Sequence, residues 1–99
     1  MKMKIKLIIW DLDNTLWNGT LELNNIDIDN ELVNYIKYFN KHGVVNTICS
    51  NNNYNKTIKV LKELNILDQF IMPNINYSPK GIRIKNLIDK FGLLVHIFY

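Results

Sequence analysis

Two aspartates separated by one leucine, Asp11 and Asp13, directly follow the apolar run Leu7–Trp10. One carboxylate can attack phosphorus and form an aspartyl-phosphate, which divides a hydrolysis into two easier steps. A second carboxylate two residues away can protonate the leaving oxygen and later take a proton from water. The alternative is that both are turn or cap residues, since aspartate favours such places. Their spacing directly after an apolar strand favours the chemical interpretation.

A hydroxyl and an ammonium group complete the set that phosphoryl chemistry needs, because both can hold phosphate oxygens as charge redistributes. Ser50 follows a second apolar run, and Lys80 follows Ser78-Pro79 at a predicted helix start. A positive charge in the first turn of a helix is unfavourable, because it lies at the positive end of the helix dipole. An unfavourable residue that brings no structural gain often has a function. The alternatives are a loop hydroxyl for Ser50 and a lysine that carries its charge into solvent for Lys80.

The elements that would position these residues alternate between strand-like and helix-like periodicity. Their order, β-α-β-α-β-α-β, predicts an α/β fold with a parallel sheet and right-handed crossovers. The connection 16–29 has turn signals but no helical stripe, which favours a small hairpin or flap. The predicted strands are Leu7–Trp10, Val44–Cys49, a weak Phe70–Met72 and Leu93–Tyr99, and the predicted helices follow Asp29 or Asn30, Ser50–Asn53 and Ser78-Pro79.

In an open α/β sheet, ligands bind beyond the carboxyl ends of the strands, where the strand order changes direction. Asp11 and Asp13 lie just past the first predicted strand. Ser50 lies just past the second strand, and Lys80 lies in the first turn of the third helix. We therefore expect these side chains to converge at one edge of the sheet. Asn51–Asn53 are expected to cap the second helix, although their amide groups also suit an anion.

The composition is that of an ordinary globular domain, with 99 residues, 47% of them hydrophobic, and a formal net charge of +3. That length predicts one domain, 1–99, around one core. The scattered lysines favour anionic ligands without requiring nucleic acid, and the chain has no glycine-rich nucleotide-binding loop. The single cysteine, Cys49, excludes an internal disulfide. A reducing, cytoplasmic location is expected, and no apolar stretch is long enough for a membrane span.

Together these clusters resemble the haloacid dehalogenase superfamily over essentially the whole chain. Asp11-Leu12-Asp13-Asn14-Thr15 matches its first motif, Ile48-Cys49-Ser50-Asn51 looks like the second, and Ser78-Pro79-Lys80 looks like the third. The stretch Trp10–Gly19 is most similar to the capless subfamily that contains magnesium-dependent phosphatases and FkbH-like proteins. The resemblance implies a three-layer α/β/α, Rossmann-like parallel sheet without a cap domain.

The resemblance also implies a role for each matching residue in a phosphatase or phosphotransferase that uses Mg²⁺. Asp11 would be the nucleophile and a metal ligand, and Asp13 would be the acid/base and also a metal ligand. Thr15 would support their loop. An open site of this kind suits a phosphorylated small molecule or a phosphate on a carrier or protein. The residues that would bind the substrate phosphate are Ser50, Asn51 and Lys80.

One feature of the superfamily has no counterpart in the sequence. Its members carry an acidic pair after the fourth strand, and no acidic residue follows the predicted strand Leu93–Tyr99. We therefore expect a domain truncated after that strand, with weak Mg²⁺ binding and weak or absent turnover. The apolar edge of 93–99 would favour a dimer or a partner contact. The alternative function is a non-catalytic remnant or phosphate-binding module; a phospho-acceptor receiver domain fits worse, because its acceptor follows a later strand.

Overall fold

The structure is a computed structural model that describes residues 7–91 and 95–98. Its larger sheet has four parallel strands in the order β5-β4-β1-β6, and a second sheet pairs β2 with β3. A single 3₁₀ turn, Leu67–Gln69, precedes β5. The elements are β1 (Leu7–Trp10), β2 (Trp17–Asn18), β3 (Asp27–Ile28), α1 (Asn30–Lys41), β4 (Val45–Asn51), α2 (Tyr54–Glu63), β5 (Asn74–Asn76), α3 (Lys80–Phe91) and β6 (Val95–Phe98).

β1 is a central strand, and all four of its side chains are buried. It pairs in parallel with β4 on one side and with β6 on the other. Both faces are covered, as the unbroken apolar sequence of this strand requires. The first predicted strand is therefore confirmed, and the strand at 95–98 lies beside it.

Successive residues of a strand point to opposite faces of the sheet. Since the residues of β1 are apolar on both faces, helices cover both. Ile8 and Trp10 join the larger core, which also contains Ile36 of α1 and Leu61 of α2. Leu7 and Ile9 join a smaller core on the other face, which contains Cys49 and, from α3, Leu87. This is the expected α/β/α layering. None of the helices in the described part of the chain is long and apolar enough to cross a membrane.

The connection 16–29 forms the small flap that the turn signals predicted. Trp17 pairs with Ile28 across the two short antiparallel strands. Gly19 has a φ of +85°, a left-handed conformation that glycine adopts without strain. Trp17 is almost completely buried, so the flap is fixed to the domain by its first strand.

Helix α1 begins and ends as its sequence predicted. The Asp29 side chain accepts hydrogen bonds from the backbone N–H groups of Glu31 and Leu32, as an N-cap residue does. After the helix, Gly43 has a φ of +82° and ends the helix in the left-handed region.

Two predicted strand boundaries are wrong. The second strand continues through Ser50 to Asn51, because residues 49–51 pair with β5. The third strand is Asn74–Asn76 and not Phe70–Met72. Met72 has a positive φ of 45°, which breaks an extended chain, and Phe70 is a buried core residue that makes one isolated bridge to β4.

The last two predicted elements are confirmed in the described residues. Helix α3 starts at Lys80, so this lysine does lie in the first turn, and β6 falls within the predicted strand Leu93–Tyr99. Residues 92–94 and 99 lie outside the described residues, and so do the apolar side chains of 93–99 that were expected to form an exposed edge.

Candidate active site

The first aspartate and the helix-start lysine form an ion pair beyond the central strand. Lys80 Nζ lies 3.0 Å from Asp11 Oδ2, and about a quarter of each side chain is exposed (25% and 23%). The other oxygen, Asp11 Oδ1, accepts from the backbone N–H of Leu12 at 2.8 Å. Both groups thus keep one side open to solvent, where a ligand could replace part of the pair.

The second aspartate is held by three donors. Its Oδ1 atom accepts from the Trp17 indole N–H and from the backbone N–H of Leu21, both at 2.9 Å. Its Oδ2 atom accepts from the Asn52 side-chain amide at 3.0 Å. Donors from the flap and from the loop after β4 therefore fix the orientation of the Asp13 carboxylate.

Ser50 lies near the carboxyl end of β4 and is only 1% exposed. The Asn52 amide that holds Asp13 also donates to Ser50 Oγ, at 3.3 Å. One asparagine thus bridges the predicted phosphate-binding hydroxyl and the predicted acid/base. The structure brings Ser50 and Asp13 together through this shared donor.

Thr15 and Asn51 take part in different ways. The Thr15 backbone N–H donates to the Leu12 carbonyl oxygen at 3.1 Å, within the turn that follows Asp11. Asn51 is exposed, and its side-chain oxygen accepts from the guanidinium group of Arg83. The side-chain oxygen of Asn51 is therefore occupied by Arg83. The side-chain N–H₂ group of Asn51 is the one that would donate to a phosphate.

The loop between the two aspartates and the flap is closed by its own polar groups. The Asn14 side chain accepts from the Gly19 N–H at 3.0 Å, and the Asn14 N–H donates to the Gly19 carbonyl at 3.1 Å. Asn14 has a φ of +56°, which asparagine tolerates better than most residues. This pair of bonds turns the chain back, and Trp17 and Leu21 of the flap contact Asp13.

Three residues of the site were not predicted as functional from the sequence. Trp17 is buried, as expected of a large apolar residue, but its indole N–H also donates to Asp13. Asn52 was grouped with its neighbours as a helix cap, whereas the cap of α2 is Asn53. Arg83 precedes the buried Leu87 by four residues on α3, and this helical spacing of a charged residue on the buried face is the sequence signal that points to it.

Cys49 lies beneath the site on the face covered by α3. Its side chain is fully buried. Burial raises the pKa of the Cys49 thiol, while the positive charges of Arg83 and Lys80 lower it by smaller amounts and Asp11 raises it slightly. The thiol therefore stays protonated and unreactive in the folded protein at neutral pH.

The chemistry of the acidic side chains decides which metal the site could hold. Asp11 and Asp13 offer only oxygen atoms, which suit Mg²⁺, and Mg²⁺ commonly takes one or two carboxylates with waters and substrate phosphate. In the described residues no cluster of three or more histidine, cysteine, aspartate or glutamate side chains is arranged to hold a metal. The donor set fits Mg²⁺ and not a metal that needs nitrogen or sulfur ligands.

The parallel α/β/α domain is Rossmann-like. Asp11 and Asp13 follow its central strand, at the point where the strand order changes direction and where such sheets bind ligands. A family model of the haloacid dehalogenase-like hydrolases matches residues 8–87, which is most of the chain. The chain belongs to this family.

Two solved structures share the fold. One is the N-terminal part of a Bacteroides fragilis protein that contains a phosphatase domain complexed with Mg; its TM-score is 0.82 at 22% identity, covering 95% of this chain and 30% of that one. The other is an uncharacterized protein from Listeria monocytogenes serotype 4b, with a TM-score of 0.75 at 14% identity, covering 94% and 66%. The chain thus spans 30% of the first solved chain, which is itself the N-terminal part of its protein. No protein of curated function matches the sequence significantly.

Proposed function

We propose that this domain hydrolyses phosphate monoesters with the help of Mg²⁺ and through an aspartyl-phosphate on Asp11. The observation that supports this most strongly is the 3.0 Å contact between Lys80 Nζ and Asp11 Oδ2. A lysine placed there can bind the phosphate oxygens next to the attacking carboxylate. A single partly exposed ion pair contributes little stability, so stability alone does not account for a lysine placed against Asp11.

In the first step, an Asp11 carboxylate oxygen attacks phosphorus and the bond from phosphorus to the ester oxygen breaks. Protonated Asp13 gives its proton to the leaving oxygen, which departs as an alcohol. In the second step, Asp13 takes a proton from water while the water oxygen attacks phosphorus. Asp11 is released, and inorganic phosphate forms. The three donors that hold Asp13 keep it oriented for both transfers.

Lys80 and the Ser50 hydroxyl would bind the non-reacting phosphate oxygens, joined by the side-chain amide of Asn51. Asp11 and Asp13 are the residues that would hold Mg²⁺. When bound, the ion would neutralise phosphate charge and orient the transferring group. The carboxylates do not have to supply every ligand, because Mg²⁺ keeps several waters.

The substrate class that we propose is a phosphorylated small molecule or a phosphate on a carrier or protein. The flap, residues 16–29, contacts Asp13 and is short. Such an open site can admit a bulky phosphorylated group, and specificity would then depend on the surrounding loops or on a partner.

The test is Mg²⁺-dependent release of phenolate from a generic aryl phosphate. Asp11→Asn should reduce the rate to background, and a chelator should do the same to the unaltered protein. Asp68→Asn is the matched control, because it removes an exposed carboxylate from the 3₁₀ turn. Equal rates for the unaltered chain and Asp11→Asn would remove Asp11 from the mechanism.

The second candidate function is a module that binds phosphate without turnover. The observation in its favour is that Asp13 already accepts three hydrogen bonds, which hold it in place but also occupy both oxygens. Titration with Mg²⁺ and beryllofluoride separates the two. A catalytic domain should bind both together at Asp11, whereas a binding module should bind inorganic phosphate without this cooperation.

A further inference from the structure

Arg83 is a buried cation that joins three segments around the site. Its side chain is on α3, and the residue is 6% exposed. The guanidinium group donates only to neutral oxygen atoms. The acceptors are the backbone carbonyls of Ser50 (2.9 Å), Asn74 (2.7 Å), Asn76 (3.3 Å) and Ser78 (3.1 Å), and the side-chain oxygens of Asn74 (2.6 Å) and Asn51.

This cation has no acidic partner in the described part of the chain, where the ion pairs are Lys59–Glu63 and Lys80–Asp11. Burying an unpaired charge is costly even when all of its donors are satisfied. An apolar side chain of similar length could fill the same space, but it would leave these carbonyl oxygens without donors. The bonds of Arg83 therefore fix the segments that border the site relative to one another.

The position of Arg83 links the two groups that would bind phosphate. It follows Lys80 by three residues on α3, so both side chains lie on the same side of the helix. It also bonds the Ser50 carbonyl and the Ser78 carbonyl, which fixes the end of β4 and the start of α3 relative to each other. Without these bonds, the first turn of α3 would lose its direct polar link to β4.

We propose that Arg83 is a positioning residue: by bonding the end of β4 and the start of α3, it holds the Lys80 ammonium group where it can bind a phosphate. The inference rests on the proposed function, because it assigns Arg83 a part in the same site.

The experiment measures binding of inorganic phosphate, with Mg²⁺ present, to Arg83→Met, Arg83→Lys, Lys80→Met and the double variant Arg83→Met/Lys80→Met. Lys85→Met is the matched control, since it removes an exposed positive charge from the same helix. Arg83→Met should weaken phosphate binding about 10- to 100-fold, while Lys85→Met changes it less than about 2-fold. Arg83→Lys keeps the charge but not the fork of donors, and should recover only part of the loss.

The double variant distinguishes positioning from a structural role. If Arg83 acts through Lys80, its replacement costs less than about 3-fold in the Lys80→Met background, because coupled residues are not additive. Equal fold-losses in both backgrounds would overturn the proposal, and so would an unaltered chain that binds no phosphate. If Arg83→Met does not fold, the same comparison is made with Arg83→Lys, with and without Lys80→Met. Phosphate binding that depends on Arg83 in a chain without turnover would contradict the proposed hydrolysis alone.

Discussion

Lys80 Nζ and Asp11 Oδ2 lie 3.0 Å apart across the point where the strand order changes direction. The chain leaves β1 towards β4 and β5, and it returns through α3 to place β6 on the other side of β1. The lysine is the first residue of that returning helix. Its ammonium group therefore reaches the carboxylate beyond β1 from the opposite end of the sequence.

Lys80→Met should separate the contribution of this ion pair to catalysis from its contribution to the free energy of unfolding. The pair is partly exposed, so its loss should change the free energy of unfolding by less than about 1 kcal/mol. A hydrogen bond from a cation to a phosphate is stronger, about 1.5–3 kcal/mol, which corresponds to a 10- to 100-fold loss of kcat/KM on an aryl phosphate. Urea unfolding and steady-state kinetics give the two values. A loss of stability without a loss of kcat/KM would assign the pair to folding.

Asn52→Ala should loosen the acid/base residue. The substitution removes the donor that lies 3.0 Å from Asp13 Oδ2. Asn52 itself is only 6% exposed, so water does not readily replace its amide. Removing a hydrogen bond to a charged group costs about 1.5–3 kcal/mol of stability, and turnover should fall further because the carboxylate can rotate. The control is Asn55→Ala, since Asn55 is exposed on α2 and should change stability by less than about 0.5 kcal/mol. Similar effects for both asparagines would contradict the assigned role of Asn52.

The sequence was sufficient to predict those site residues whose positions follow from local pattern and sheet topology. Asp11 follows an apolar run and Lys80 begins a helix, so parallel strand order alone brings them to one edge. Asn52 and Arg83 were not predictable in this way. Their partners lie on other elements. The pairing of β4 with β5 and the packing of α3 against β4 depend on the tertiary structure, which local sequence patterns do not determine. Among consecutive asparagines, nothing local indicates which one points into the site.

The third strand illustrates the same limit. Phe70–Met72 has the higher strand propensity, yet the pairing is made by Asn74–Asn76. Phe70 is more stable in the core than on a sheet edge, and the backbone at Met72 turns into the left-handed region. Tertiary packing therefore overrode local propensity, as it often does in short strands.

Two glycines should respond in opposite directions to replacement by alanine. At Gly19 the φ is +85°, and an added Cβ would lie 2.4 Å from the Asn25 carbonyl oxygen, so Gly19→Ala should destabilise the protein by more than about 2 kcal/mol. At Gly81, in the first turn of α3, an added Cβ meets no atom within 4 Å. Gly81→Ala should therefore stabilise by about 0.5–1 kcal/mol through helix propensity. Chemical denaturation of both variants checks the signs, and a neutral Gly19→Ala would show that the flap does not hold this turn.

Cys49 should make the protein less stable at alkaline pH. Burial raises the pKa of its thiol above the ordinary value of 9.0. As the pH rises through 9, the unfolded chain loses the thiol proton while the folded chain keeps it. The unfolded state then binds fewer protons, so the free energy of unfolding falls with increasing pH, by at most about 1.4 kcal/mol per pH unit from this group. Below the unfolded pKa both states are protonated, and the full contribution is present.

The Cys49→Ala variant isolates this effect, because tyrosines and lysines that titrate in the same range are unchanged in it. At neutral pH the variant should be less stable by a constant amount, since a buried side chain is shortened. Between about pH 9 and 10.5 the difference between the two proteins should shrink, because only the unaltered chain loses stability through the thiol. Urea unfolding at several pH values measures the difference directly. A difference that stays constant up to pH 10.5 would mean that the folded protein titrates Cys49 as the unfolded chain does, and that the core beneath the site admits water.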